Sequence, residues 1–370
     1  MKKIASILAM LVLAGAGIWI ATLLSVPNND SIGEGKPVVK IGAMFPLTGN
    51  MAESGESSSK ALVKAFEDAN ANPANRLHYE LLVDDDQADP RRAQVIMNKY
   101  FAIDKVNVIS TFYSMPARVV APEATRRQIV HFNCSYSDDI LQSKYNFQNF
   151  ISLKAEAQGI VDFLKAKKVE SVSLFFENLG AADYLLNDLT AMLKETGIAY
   201  ELDRFMPGER NFNISVGRLK RADTQALVVL SFNPELDIIA KEIRLNQIDK
   251  IVAFAGNIQM SQHVELFEGM YNIGSVDMPD DLRKHIGFKE DDNTAFATYL
   301  YDTGNIIVGA FEKAYNGKEI PSGEEIADTI LSQRHYKGEV GDYTLDDNGQ
   351  FNSRIETTVV KNGKFERVEE

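Results

Sequence analysis

Ser114 is the residue whose type and position most directly imply chemistry. It follows an apolar run, Val106 to Thr111, that reads as a strand, and stands two residues before Pro116, in the first turn of a predicted helix ending at Arg127. A hydroxyl beside free backbone N–H groups at a helix amino end forms an anion site that needs no positive side chain, although the same serine also suits a plain helix cap. Signatures of catalysis fail on spacing. Gly49 and Gly55 are separated by five residues and followed by Glu56 rather than Lys-Ser, so they do not form a phosphate-binding P-loop. Neither His-Glu-x-x-His nor Gly-x-Ser-x-Gly occurs. The five histidines, at 78, 131, 263, 285 and 335, show no i, i+4 pair, which weighs against a zinc helix. His131 lies three residues from Cys134 on a predicted strand, with no context to make them a reactive pair. Asp84-Asp85-Asp86 lacks the glycine and terminal glutamate of a calcium loop and reads as a solvated turn. No metal and no cofactor is expected, and the chemistry that remains is binding rather than catalysis.

The elements that must position Ser114 alternate in period. Val38 to Met44 reads as a buried strand, and Ala61, Leu62, Ala65, Phe66 and Ala69 mark one face of a helix that stops before Pro73. Strands are predicted at Leu77–Val83, Val106–Thr111 and Ile129–Phe132, with helices at Arg92–Phe101 and Pro116–Arg127. The alternation restarts with helices at Ala155–Lys167, Ala182–Thr196, Ile214–Arg221 and Glu235–Asn246. Between them lie strands at Ser171–Phe176, Tyr200–Phe205, Ala226–Ser231 and Ile251–Phe254. Strands separated by helices of this length imply right-handed crossovers and parallel sheets covered on both faces, and two such runs imply two doubly wound α/β lobes. Beyond them come a long helix, Thr294–Tyr315, a second at Ser322–Gln333, and a hairpin turning at Asn348-Gly349.

Composition bounds the function. The 370 residues include 39 basic and 52 acidic side chains, a net charge of −13, and no Lys/Arg cluster interrupts the acidity, which argues against nucleic acid. A hydrophobic content of 45% supports packed cores. The single cysteine, Cys134, excludes an intrachain disulfide and Cys-rich zinc modules, and suits a small packed residue better than a reactive thiol. Residues 1–26 carry only Lys2 and Lys3, so the remaining 344 residues hold 37 basic and 52 acidic side chains, a net −15. Lys2-Lys3 before the uncharged run Ile4 to Val26 is the pattern of an export signal. As a helix that run rises ~34 Å, enough to span a bilayer. A cleaved signal peptide and an uncleaved transmembrane anchor both remain open; either puts the folded part in the periplasm or on the outer side of the inner membrane.

Ile41-Gly42-Ala43-Met44-Phe45-Pro46-Leu47-Thr48-Gly49, Asp84-Asp85-Asp86-Gln87-Ala88-Asp89-Pro90, Tyr301-Asp302-Thr303 and Lys337-Gly338-Glu339-Val340-Gly341-Asp342-Tyr343 occur in an order that resembles a known family. It is the type I periplasmic binding proteins of the branched-chain amino acid kind, the leucine-binding protein domain, and the resemblance runs over most of residues 38–352. It implies two lobes joined by a hinge, closing on a ligand held at the carboxyl ends of parallel strands. Residues 38–153 with 280–337 are expected in lobe 1, and 154–279 with 338–370 in lobe 2. A signal or anchor at 1–26 and a linker at 27–37 precede them.

The family uses a serine at the place of Ser114 for the ligand carboxylate, and a backbone carbonyl and a hydroxyl at the places of Ser135 and Ser137. Asp138 and Asp139 alternatively favour the start of a short helix. Tyr113 and Tyr136 are placed to stack on a ligand. In lobe 2 the family's aromatic residue before a glycine is missing, since the chain reads Glu177-Asn178-Leu179-Gly180. Glu177 and Glu235, just past strand ends, suit either a ligand ammonium or solvent. Phe232, Gly256 and Asn257 complete the strand-end candidates, and Cys134 stands where the family commonly has proline. The resemblance implies an amino acid or related carboxylate as ligand and an ABC-type permease as partner. A membrane-tethered sensory subunit of the same fold is the alternative, and an empty, degenerate cleft a further one.

Overall fold

The computed structural model describes residues 35–136, 138–178, 180–256, 258–290 and 292–368. The predicted export segment therefore lies outside the described residues, as do Ser137 and Asn257. In chain order the first elements are Val38–Phe45 (β1), Ala52–Ala71 (α1), His78–Asp85 (β2), Pro90–Lys99 (α2), Val108–Phe112 (β3), Ser114–Arg127 (α3), Val130–Cys134 (β4) and Asn146–Asn149 (β5). Leu153–Ala166 (α4), Ser171–Glu177 (β6), Gly180–Thr196 (α5), Ala199–Phe205 (β7), Asn213–Arg221 (α6), Ala226–Leu230 (β8), Glu235–Leu245 (α7), Ile251–Ala255 (β9) and Tyr271–Gly274 (β10) follow. The last are Asp280–Ile286 (α8), Ala297–Ala314 (α9), Gly323–Ser332 (α10), His335–Gly338 (β11), Gly341–Leu345 (β12), Gln350–Asn352 (β13), Glu356–Lys361 (β14) and Lys364–Arg367 (β15).

Two sheets result, ordered β11-β12-β13-β5-β4-β3-β1-β2 and β15-β14-β10-β9-β8-β6-β7. Their centres are parallel, as expected for strands joined through helices, and their edges carry antiparallel pairs, β11 with β12, β12 with β13, β14 with both β10 and β15. Each sheet is covered on both faces. Val39, Ile41, Ala43 and Phe45 of β1 pack under α1 and α9, whereas Met44 packs against Ala93 and Met97 of α2 and Val120 of α3. In the second sheet Val172, Leu174 and Phe176 face α4 and α5, and Phe175, Leu227 and Val229 face α6 and α7. Successive strand residues point to opposite faces, so unbroken apolar runs such as Ala226–Leu230 are what a doubly covered sheet requires.

The chain crosses between sheets three times: from β5 to α4, from β10 to α8, and from β13 to β14. The third crossing does not fall at 337–338 as expected. The Asn348-Gly349 hairpin β12–β13 belongs to the first sheet, because Gln350 and Phe351 pair with Gln148 and Asn149 of β5. The crossing is displaced to the segment holding Ile355, a residue that packs against the cores of both sheets.

Several motif residues prove to be structural. Asp85 accepts hydrogen bonds from the N–H groups of Leu47 (2.8 Å) and Thr48 (3.3 Å) and from the Thr48 hydroxyl (2.6 Å), fixing the Pro-Leu-Thr-Gly loop. Asp86 is fully buried, and burial pushes its carboxyl up to about 6. The acidic run is thus not a solvated turn; Asp89 ends it by capping α2 with Pro90 at the first helical position. Asp302, buried on α9, accepts from the N–H groups of Glu339 (2.8 Å) and Val340 (3.2 Å) and from the Tyr343 hydroxyl (2.8 Å). Gly338 is required there, since a Cβ would collide with both Asp302 and Tyr343.

Candidate functional site

The carboxyl ends of β3 and β4 bring Ser114 and Ser135 together, with the Ser114 hydroxyl donating to Ser135 Oγ at 3.3 Å. Ser114 is the first residue of α3, and no side chain caps that helix, so the plain cap reading does not describe it. The N-cap position belongs to Tyr113, whose φ of 68° turns the chain sharply out of β3. Its ring packs on Phe112 (centroids 4.2 Å apart) and Phe296 (6.2 Å), and its hydroxyl lies beside Ser54 without a well-formed hydrogen bond. Burial raises the Tyr113 hydroxyl to about 12. Tyr136 is also enclosed rather than presented on a loop: its ring meets Phe150 edge-on at 4.8 Å and packs against the cores of both sheets. Asp139 lies in a short 3-10 helix, Asp138–Ile140, and pairs with Arg118 at 2.7 Å.

Behind Ser135, strand periodicity separates two faces. Val130, Phe132 and Cys134 enter the core under α9, while His131, Asn133 and Ser135 point the other way. Cys134 is fully buried and burial raises its thiol, so it and His131 form no pair. Asn133 donates to Ser135 Oγ at 2.7 Å. His131 is held between Thr111 (2.8 Å) and Asn146 (3.2 Å), and burial lowers its ring to about 4, leaving it neutral.

The second sheet contributes Glu177 at the end of β6 and Phe232 just past β8. Glu177 accepts from the N–H of Phe232 (3.0 Å) and the Ser231 hydroxyl (3.2 Å), and burial raises its carboxyl. Glu235 accepts from the N–H of Gly208 at 2.7 Å and forms an ion pair with Arg210. Neither acid is solvated, and Glu235, with its charge already matched, is removed as the partner of a ligand ammonium. Gly256 adopts φ 66° at the end of β9, directly over Glu156, the acid in the first turn of α4. Glu156 is 1% exposed, its Oε1 has no hydrogen-bond partner, and burial pushes the carboxyl up to about 8. Sequence reasoning missed Glu156, because nothing local marks one acid of an amphipathic helix as the buried one.

Contacts also join the two sheets. Gln262 donates to Glu53 at 3.2 Å, and Met260 packs on the first core. A shallow hollow lined by Arg244, Lys250 and Gly269 lies at the other, amino-terminal end of the second sheet, where Lys250 already donates to the Leu219 and Ala222 carbonyls. Among the described residues no helix is long and apolar enough to cross a membrane.

A family model described as "Periplasmic binding protein" matches residues 38–364. No curated protein matches the chain. Among solved structures, a branched-chain amino acid transporter substrate-binding protein from Streptococcus pneumoniae, in complex with isoleucine, is similar with a TM-score of 0.74 and 19% identity, over 90% of this chain and 99% of that one. An amino acid ABC transporter substrate-binding protein from Pseudomonas fluorescens gives 0.77 and 16% over 90% and 95%. A solute-binding protein of an ABC transporter from R. palustris, in complex with benzoate, gives 0.75 and 13% over 90% and 95%. At these identities the structural likeness speaks for the fold.

Proposed function

Because the chain belongs to the periplasmic binding protein family, we propose that it is an extracytoplasmic, non-catalytic clamp that binds a small carboxylate and passes it to an ABC-type permease. One observation carries this reading: two hydroxyls, Ser114 and Ser135, meet 3.3 Å apart at the uncapped amino end of a 14-residue helix. Donor hydroxyls and helix-end N–H groups complement a carboxylate without a cationic side chain, which suits a chain of net charge −13. The similar proteins bound to isoleucine and to benzoate hold ligands that share a carboxylate and differ in the amine. For an amine, Glu177 is the acid of the second sheet that no cation neutralises in the way Arg210 neutralises Glu235. Two lobes hinge at the three crossings, with Tyr136 as the wedge that touches both cores. Residues 1–26 direct export.

Isothermal titration with isoleucine and benzoate tests the reading, with native mass spectrometry of gently purified protein to identify a retained solute. Ser114→Ala is expected to weaken carboxylate binding by about 1–2 kcal/mol, since one partner of a buried anion is lost. Unchanged affinity would remove Ser114 from the site.

A further inference from the structure

Four amide and hydroxyl side chains form a continuous buried row across neighbouring strands of the first sheet: Thr111 on β3, Asn133 on β4, Gln148 on β5 and Gln350 on β13. Strand pairing sets Thr111 opposite Asn133, Asn133 opposite Gln148, and Gln148 opposite Gln350, and all four are at most 4% exposed. We propose that this row is a positioning device that fixes the Ser135 hydroxyl as a hydrogen donor toward the ligand, making the cleft selective for acceptor groups such as carboxylates. The inference rests on the reading of Ser135 as a ligand contact.

The direction of the row follows from its far end. Gln350 Nε2 lies 2.7 Å from the Phe150 carbonyl oxygen and 2.8 Å from that of Phe351; only an NH2 suits two carbonyls, so Gln350 must turn its oxygen to Gln148. Gln148 Nε2 therefore donates to Gln350 Oε1 at 2.8 Å, and Gln148 Oε1 faces Asn133. Asn133 in turn gives its NH2 to Gln148 Oε1 (3.3 Å) and to Ser135 Oγ (2.7 Å). With Asn133 Nδ2 filling one lone pair of Ser135, the Ser135 proton is left for an acceptor in the cleft, and a bound carboxylate takes the Ser114 proton in place of Ser135 Oγ. Each amide has two ends, so one anchored orientation dictates the next.

His131 is fixed from its other side. Thr125 gives its proton to the Ala121 carbonyl at 3.0 Å and lies 2.7 Å from the Ser143 hydroxyl. Both hydroxyl oxygens accept from Asn146 Nδ2, at 2.7 and 2.9 Å, so Asn146 turns its oxygen to His131 Nδ1, which carries the ring hydrogen. His131 Nε2 is then an acceptor facing the Thr111 hydroxyl at 2.8 Å, and the direction of the row toward Ser135 is set from the Gln350 end.

Isothermal titration of the full chain with isoleucine and benzoate tests the proposal on the wild type, Gln350→Met and Ser135→Ala, with circular dichroism to show that each is folded. Gln350→Met keeps the shape of the side chain and removes the amide that anchors the row two strands away from Ser135. A loss of at least about fivefold in affinity is expected in both variants. Unchanged affinity in folded Gln350→Met beside a loss in Ser135→Ala overturns the row as a positioning device while the ligand role of Ser135 stands. Unchanged affinity in Ser135→Ala overturns that ligand role and the proposal with it.

Discussion

Replacing Asp302 by alanine should unlatch the closing β11–β12 turn from the long helix α9. The carboxyl accepts three hydrogen bonds, and the Val340 N–H and Tyr343 hydroxyl are buried where water cannot replace it. A buried donor left unpaired costs roughly 1–3 kcal/mol. Two of them give about 2–6 kcal/mol; the exposed Glu339 adds little, because its N–H can turn to solvent. Against a typical total of about 5–15 kcal/mol that is a large loss. Part of it is returned, because burial holds the Asp302 carboxyl up at about 6, so the charge is itself unfavourable there at neutral pH. Urea unfolding of the wild type, Asp302→Ala and Asp302→Asn, followed by circular dichroism, separates these effects. The asparagine keeps an acceptor oxygen and drops the charge, so it should lose distinctly less than alanine. Tyr343→Phe should cost little more in the alanine background, because its partner is already gone. An alanine variant within about 0.5 kcal/mol of the wild type would refute the claim that these acceptors hold the motif.

Three other outcomes follow from the same structure. Gly55→Ala should destabilise by about 1–3 kcal/mol in thermal melts, because its Cβ would collide with the Pro46 carbonyl oxygen, a backbone atom unable to swing aside; an unchanged midpoint would contradict that crowding. Glu156→Gln should flatten the pH dependence of stability. The folded chain keeps this proton up to about 8 while the unfolded chain releases it near 4.5, so stability present below 4.5 is lost as pH rises toward 8, and unfolding midpoints from pH 5 to 8 that fall equally in wild type and variant would clear Glu156. Cys134 should resist a thiol reagent at pH 8 in the native protein and react at once in denaturant, since burial both covers the sulfur and raises its thiol; rapid native labelling would show the strand opening.

Local pattern carried the middle of each sheet. β1, β3, β6, β8 and β9 are short apolar runs between helical stripes, and a strand covered on both faces must look like that. β5 escaped, because Asn146-Phe147-Gln148-Asn149 sets amides where a covered strand normally has aliphatic side chains. β14 and β15 escaped too, although Asn362-Gly363 joins them as Asn348-Gly349 joins β12 and β13. A period-two alternation of polar residues through His131, Asn133 and Ser135 was the available signal for the row behind the site.

By itself the sequence determined two covered parallel sheets and a serine at the head of a helix, because periodicity and helix-start chemistry act over a few residues. Only the tertiary structure decided which acids are matched and which polar groups meet. Arg210 reaches Glu235 across 25 residues and Gln350 reaches Gln148 across 202, so whether Glu235 is available, and which way Ser135 points its proton, depends on strand order. Hydrogen bonds and charge pairs act within a few ångströms, and only the packed chain brings such distant residues that close.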